Sequence, residues 1–134
     1  MISGFPLYKV IFPEIATTCR SYCALPFVDQ VVLMGLKMTG FTKTNLDALW
    51  IDPVDYQPQL REAVRELSSA HLQVMIYNHQ LCILDKELWP FARRSISDWK
   101  NIYMPECERC RMRADCGGFF ASARLRYSSH IKAL

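Results

Sequence analysis

Cys107, Cys110 and Cys116 fall within ten residues of one another, in the run Pro105-Glu-Cys-Glu-Arg-Cys-Arg-Met-Arg-Ala-Asp-Cys-Gly-Gly-Phe-Phe120. A Cys-x2-Cys spacing lets two thiolates reach one metal centre, and a third cysteine returning from the end of the same loop makes a directed site. Gly117 and Gly118 follow at once. A glycine pair permits positive φ and a close approach of backbone N–H groups, which can hydrogen-bond to thiolates or to cluster sulfides.

Three loop thiolates call for a fourth ligand. Cys82 is the best candidate, because it lies just past a predicted strand, where open α/β folds carry their functional loops. His79, His130 or an exogenous molecule are the alternatives. Zinc sites commonly use paired knuckles or two cysteines with two histidines, and this chain has a single Cys-x2-Cys. Four-thiolate ligation from irregular spacing suits a [4Fe-4S] cluster better, with a zinc-stabilised binding or scaffold module as the alternative. Arg109, Arg111 and Arg113 stand in the loop either to offset cluster charge or as a solvated basic surface. Cys19 and Cys23 are four apart, on one predicted helical face beside Ile15, and read as buried apolar groups instead of a second site.

The chain that must position these residues has 134 of them, enough for one folded unit. Its 51% apolar and 22% charged composition is that of a globular protein. No apolar run reaches the roughly 18 residues that span a bilayer, and residues 1–15 lack a basic start and a small-residue cleavage site. The expected compartment is the cytoplasm, where six cysteines read as metal ligands, reactive thiols or core residues, not disulfides. Residues 1–88 carry seven basic and nine acidic side chains, and residues 89–134 carry nine and four. The positive charges of the second part are scattered and interrupted by Glu106, Glu108 and Asp115, which argues against nucleic acid as a partner.

Periodicity predicts a helix over residues 13–24, then a strand over residues 28–35 whose nearly continuous apolar run implies cover on both faces. Asp52 is an N-cap with Pro53 at the first helical position, ahead of an apolar stripe at Leu60, Val64 and Leu67. Residues 72–77 form the next strand, and Asn78, His79 and Gln80 break it. Helix, strand, helix, strand with long connections is an α/β pattern. Too few strands are present to close a barrel or to cover both faces of a large sheet, so residues 1–84 are expected to be α/β, part of a doubly wound sheet or a partial (β/α) barrel. Residues 85–134 form an irregular iron–sulfur-binding extension: a short helix over residues 88–92 broken at Pro90, a turn over residues 95–101, the cysteine loop and a last helix over residues 119–126.

Cys-x2-Cys-x5-Cys-Gly-Gly resembles the auxiliary-cluster region of radical S-adenosylmethionine (SAM) enzymes with SPASM or twitch-type extensions. Further segments narrow this: Val31-Val-Leu-Met-Gly-Leu36, Leu49-Trp-Ile-Asp-Pro53, Tyr77-Asn-His-Gln-Leu-Cys82, Ser95-Ile-Ser-Asp-Trp-Lys-Asn101 and Cys116-Gly-Gly-Phe-Phe-Ala-Ser122. In this order they resemble the C-terminal half of the radical SAM maturases of the His-Xaa-Ser peptide-modification system, over almost the whole chain.

The resemblance implies a partial barrel in which SAM bound to a core cluster yields a 5′-deoxyadenosyl radical, an auxiliary [4Fe-4S] cluster on Cys82, Cys107, Cys110 and Cys116, and a peptide or small-protein substrate. Asn78 and His79 would then face the substrate, although a polar turn at the strand end explains them as well. The Cys-x3-Cys-x2-Cys segment that holds the core cluster does not occur here: Cys19-x3-Cys23 is followed by Pro26 where the third cysteine belongs. Lys37 also stands where the family pattern has a glutamate. The expected protein is therefore a truncated or split C-terminal part of such a maturase, with a partial (β/α) barrel made of later strands only. It would be unable to cleave SAM alone, with a separate chain as the possible source of the missing barrel half.

Overall fold

The structure is a computed structural model that describes residues 2–7 as backbone, and residues 14–95 and 101–134. Strands β1 (Ile2–Leu7), β2 (Gln30–Gly35), β3 (Gln73–Tyr77) and β4 (Ala92–Arg93) form a parallel sheet in the order β1-β2-β3-β4. Helix α1 (Ile15–Cys23) joins β1 to β2, and the short helices α2 (Phe41–Thr44) and α3 (Leu46–Leu49) lead to the longer α4 (Gln57–Ser69) before β3. The chain is mixed α/β, and the described strands do not close into a barrel.

Helix α4 forms where Leu60, Ala63, Val64 and Leu67 recur at three- and four-residue spacing, and those four are buried. Its approach is fixed by Asp52, whose Oδ1 accepts the Val54 N–H at 3.1 Å ahead of a 3-10 turn at Pro53–Tyr56. Helix α1 adds Ile15 and Cys19, and both helices cover the face of the sheet that carries Val31, Leu33, Val74 and Ile76. Each leucine fully buried here contributes roughly 1.5–3 kcal/mol. The exposed pairs of Arg20 with Glu62 and Glu66, at 3.4 and 3.1 Å, bridge α1 and α4 but are screened by solvent and add little.

The expected β2 strand is present but starts at Gln30, and it alternates where cover on both faces was expected. Val31, Leu33 and Gly35 are buried, whereas Gln30, Val32 and Met34 are half-buried; Val74 and Ile76 against Met75 and Tyr77 repeat the pattern on β3. The apolar run therefore reflects one helix-covered face and one partly open face. Strand β1 was not anticipated, because Gly4 and Pro6 break any alternation; proline is tolerated there since β1 is an edge strand. Strand β4 is two residues long, too short to leave a pattern.

Beyond β3 a 3-10 helix at Lys86–Phe91 contains Pro90. The turn expected over residues 95–101 lies, for residues 96–100, outside the described residues, as does Pro13. Strands β5 (Asn101–Ile102) and β6 (Phe119–Phe120) pair antiparallel across the cysteine loop. The last helix expected over residues 119–126 is instead β6 followed by a 3-10 turn at Ala121–Arg124. Pairing with Ile102 draws Phe119 into a ladder, and the four residues left are too few to sustain an α-helix. A second, smaller core gathers Ile83, Met104, Phe119, Ala123 and Ile131, with Cys82 and Cys107 against its edge.

Candidate metal centre

Cys82, Cys107, Cys110 and Cys116 line one recess, together with Lys132 and Leu134. All four are free thiols. Cys82 enters from the turn after β3, because β3 ends at Tyr77 and the chain folds back through Gln80; the other three come from the loop between β5 and β6. The loop holds its shape through successive tight turns: Cys110 N–H donates to the Cys107 carbonyl at 3.2 Å and Cys116 N–H to the Met112 carbonyl at 2.9 Å.

Two of the four sulfurs accept a backbone hydrogen bond. Gly118 N–H donates to Cys116 Sγ at 3.5 Å and Leu134 N–H to Cys110 Sγ at 3.4 Å. The Lys132 backbone acts on Cys82, and the Met104 backbone on Cys107, in the sense that favours the charged thiol. Such bonds favour a thiolate. Burial acts in the other direction and is the larger effect at Cys82 and Cys107, whose thiols lie above their ordinary range; neighbouring cysteines push the same way. A bound cation reverses that balance, because a coordinating thiol is deprotonated outright.

The glycine pair works as its sequence position implied. Gly118 has φ +64°, and its carbonyl accepts Gln80 Nε2 at 2.8 Å, so the strand-end turn that carries Cys82 is tied to the turn behind Cys116. A Cβ on Gly118 would lie 2.6 Å from the Ile102 carbonyl oxygen. Tyr103 reinforces the same turn, its hydroxyl donating to the Cys116 carbonyl at 2.9 Å.

Four thiols are donors of the type a thiophilic metal takes, and the recess they line is tight, with room for about 10 Å³ between its walls. Among the described residues no group of three or more His, Cys, Asp or Glu side chains is gathered closely enough to hold a metal ion.

The histidine alternatives lie elsewhere. His79 is 3% exposed and both ring nitrogens are engaged, Nε2 with the Tyr56 hydroxyl at 2.7 Å and Nδ1 with the Tyr77 carbonyl at 3.0 Å. The carbonyl can only accept, so Nδ1 carries the proton and Tyr56 donates to Nε2. His130 faces Asp52, with Nδ1 3.7 Å from Oδ2. All three loop arginines are exposed, and Arg113 also lines the recess and stacks 4.7 Å above the Tyr103 ring.

Asn78 lies at the end of β3 in the left-handed region, φ 55°, and borders a cleft of about 40 Å³ with Gly35, Tyr56 and Arg126. Its side chain is spent on the backbone: Nδ2 donates to the Gly35 and Leu36 carbonyls, and Oδ1 accepts Phe120 N–H. Lys37 borders a larger open cavity of about 570 Å³ with Met34, Thr39, Phe120 and Ser122, beyond the C-terminal end of β2.

Cys19 is fully buried in the first core and Cys23 packs at its edge, as the helical spacing implied. Burial, with smaller contributions from Cys23 and Glu66, pushes the Cys19 thiol up to about 11. Sequence reasoning missed Gln80 and Tyr103, whose side chains bond distant backbone carbonyls, and Lys132 and Leu134, which line the recess; no residue spacing encodes these contacts. No helix among the described residues is long and apolar enough to cross a membrane. Comparison with family models, curated proteins and solved structures finds no match to this chain.

Proposed function

We propose that this chain is an iron–sulfur protein, the auxiliary-cluster part of a radical SAM peptide-modifying maturase, acting in the reducing cytoplasm. The observation that carries the reading is the convergence of Cys82, Cys107, Cys110 and Cys116 on one recess, with backbone N–H groups donating to the Cys110 and Cys116 sulfurs. A four-thiolate cluster, when bound, supplies a one-electron centre. The protein's part is to hold the four sulfurs, direct N–H groups at them and place Arg113 at the rim against the negative charge of a thiolate-ligated cluster.

Winding supports the partial-barrel reading. Four parallel strands in sequential order, with α1 and α4 packed together over one sheet face, are what an arc of a (β/α) barrel has; a doubly wound sheet reverses its order and covers both faces. The opposite, partly open face would be the barrel interior. The 570 Å³ cavity at the C-terminal end of β2 has the size of a small-ligand pocket and suits a side chain of a peptide or small-protein substrate. With no Cys-x3-Cys-x2-Cys segment in its sequence, this chain does not cleave SAM by itself, and a further barrel half, in the same or a separate chain, supplies that chemistry.

The second reading is a zinc-stabilised scaffold without catalysis, and the tightness of the recess, about 10 Å³, favours it. Metal analysis after anaerobic purification and reconstitution decides. About four iron and four sulfide per chain, with thiolate-to-iron absorbance, is the expected result. Stoichiometric zinc without that absorbance overturns the cluster and leaves the scaffold.

A further inference from the structure

Residues 132–134 carry no side chain that chemistry would single out, yet Lys132 and Leu134 line the recess that the four cysteines share. Leu134 N–H donates to Cys110 Sγ at 3.4 Å, and the Lys132 backbone acts on Cys82 in the sense that favours a thiolate. The loop answers in kind: Arg111 N–H donates to the Leu134 carbonyl at 2.8 Å, beside Cys110. Immediately before, Ile131 is 7% exposed and packs in the core that holds Ile83, Met104 and Phe119.

Cys82 and Cys110 come from separate parts of the chain, one after β3 and one in the loop between β5 and β6. Residues 132–134 touch both. We propose that residues 132–134 form a strap, anchored at Ile131, whose Lys132 and Leu134 backbone N–H groups position Cys82 and Cys110, so that metal retention depends on the strap as well as on the thiols. The strap rests on the proposal that these cysteines are metal ligands. Its dependence lies in backbone donors, so side-chain replacement leaves it intact and loss of an N–H does not.

Lys132→Pro and Leu134→Pro each remove one of those N–H groups, while Lys132→Ala and Leu134→Ala keep them and delete the side chains. In the metal-loaded full chain, release to excess chelator is expected to be about tenfold faster in each proline variant, the scale on which loss of an outer-shell partner weakens metal sites, and unchanged in the alanine variants. With iron bound, the reduction potential of the proline variants moves to more negative values, because N–H donors to sulfur stabilise the added electron. A chain ending at Ile131, which retains both hydrophobic cores, gives the same faster release and covers the case of a proline variant that fails to fold.

Wild-type release and potential in the proline and shortened chains overturn the strap while leaving the metal centre standing. Full metal content in Cys82→Ser and Cys110→Ser overturns the metal centre itself.

Discussion

The side-chain oxygen of Asn78 accepts the backbone N–H of Phe120 at 3.3 Å, joining the end of β3 to β6 across 42 residues of chain. The same amide donates to the Gly35 and Leu36 carbonyls at 3.1 and 3.2 Å, so one side chain pins the ends of three strands. Asn78 also holds φ 55°, a conformation asparagine tolerates better than most residues. Asn78→Ala is therefore expected to destabilise the fold by about 2–4 kcal/mol in urea unfolding, from the lost hydrogen bonds and the backbone strain. Asn78→Gly relieves the strain alone and should recover about 1 kcal/mol of that loss. Equal stability of the asparagine and alanine chains would show that the three contacts carry no net energy.

His79 gives the fold a pH dependence with a definite sign. Burial, only partly offset by the Tyr77 carbonyl, lowers its pKa from 6.5 to about 4. In the folded state the ring is neutral, held between Tyr56 and Tyr77. Below 6.5 the unfolded chain binds a proton that the folded chain refuses, so the unfolded state binds more protons and stability falls as the pH falls. The loss runs from about pH 6.5 to about pH 4 and amounts to about 3 kcal/mol at most. Urea midpoints taken at about pH 7 and pH 5 should fall more in the wild type than in His79→Gln, a comparison that cancels the carboxylates common to both. Parallel pH profiles for the two chains would mean that His79 titrates normally.

Where periodicity was strong, the sequence was readable: the four-residue repeat of Ile15, Cys19 and Cys23 and the stripe of Leu60, Val64 and Leu67 became α1 and α4 with those faces packed on the sheet. That the four cysteines meet was legible for another reason, since thiols are scarce and their spacing stands out; Cys82 lines the same recess as Cys107, Cys110 and Cys116. What could not be read depends on contacts between distant backbone groups. The run Ile2-Ser-Gly-Phe-Pro-Leu7 lacks strand alternation and becomes β1 by pairing with β2. His79 could pass for a ligand until Tyr56, 23 residues away, closed off its second nitrogen. Residues 132–134 act through N–H groups that every residue but proline has, so nothing in their identity marks them.

The two glycines behind Cys116 should respond differently to a methyl group. Gly118, at φ +64°, would place a Cβ 2.6 Å from the Ile102 carbonyl oxygen and 3.1 Å from the Tyr103 ring. Gly117 has a negative φ or extended backbone, and its nearest neighbour, the Arg93 carbonyl oxygen, would lie at 3.2 Å. Gly118→Ala is expected to cost at least about 2 kcal/mol through strain and a backbone clash, and to impair metal binding by moving the N–H that serves Cys116. Gly117→Ala should cost about 1 kcal/mol or less and leave metal content unchanged. A reversed order in melting temperature and metal content would contradict the turn geometry.

The six cysteines should divide into two groups by reactivity and metal content. Cys19 is 0% exposed among the core residues, and its thiol is raised to about 11, chiefly by burial, so little reactive thiolate exists near neutral pH. Cys19→Ala should leave metal content intact and cost about 1–2 kcal/mol, the scale of a small core deletion. In the folded apo-protein an alkylating reagent should label Cys110 within the time in which Cys19 remains unlabelled, because Cys110 lies in a recess that opens to the surface. After metal loading that difference should collapse, since Cys82, Cys107, Cys110 and Cys116 become protected together by their shared ligand. Serine at any one of these four should expose the other three to the reagent again, whereas Cys19→Ala and Cys23→Ala should not. Protection that survives each single serine substitution would show that the four thiols do not bind as a unit.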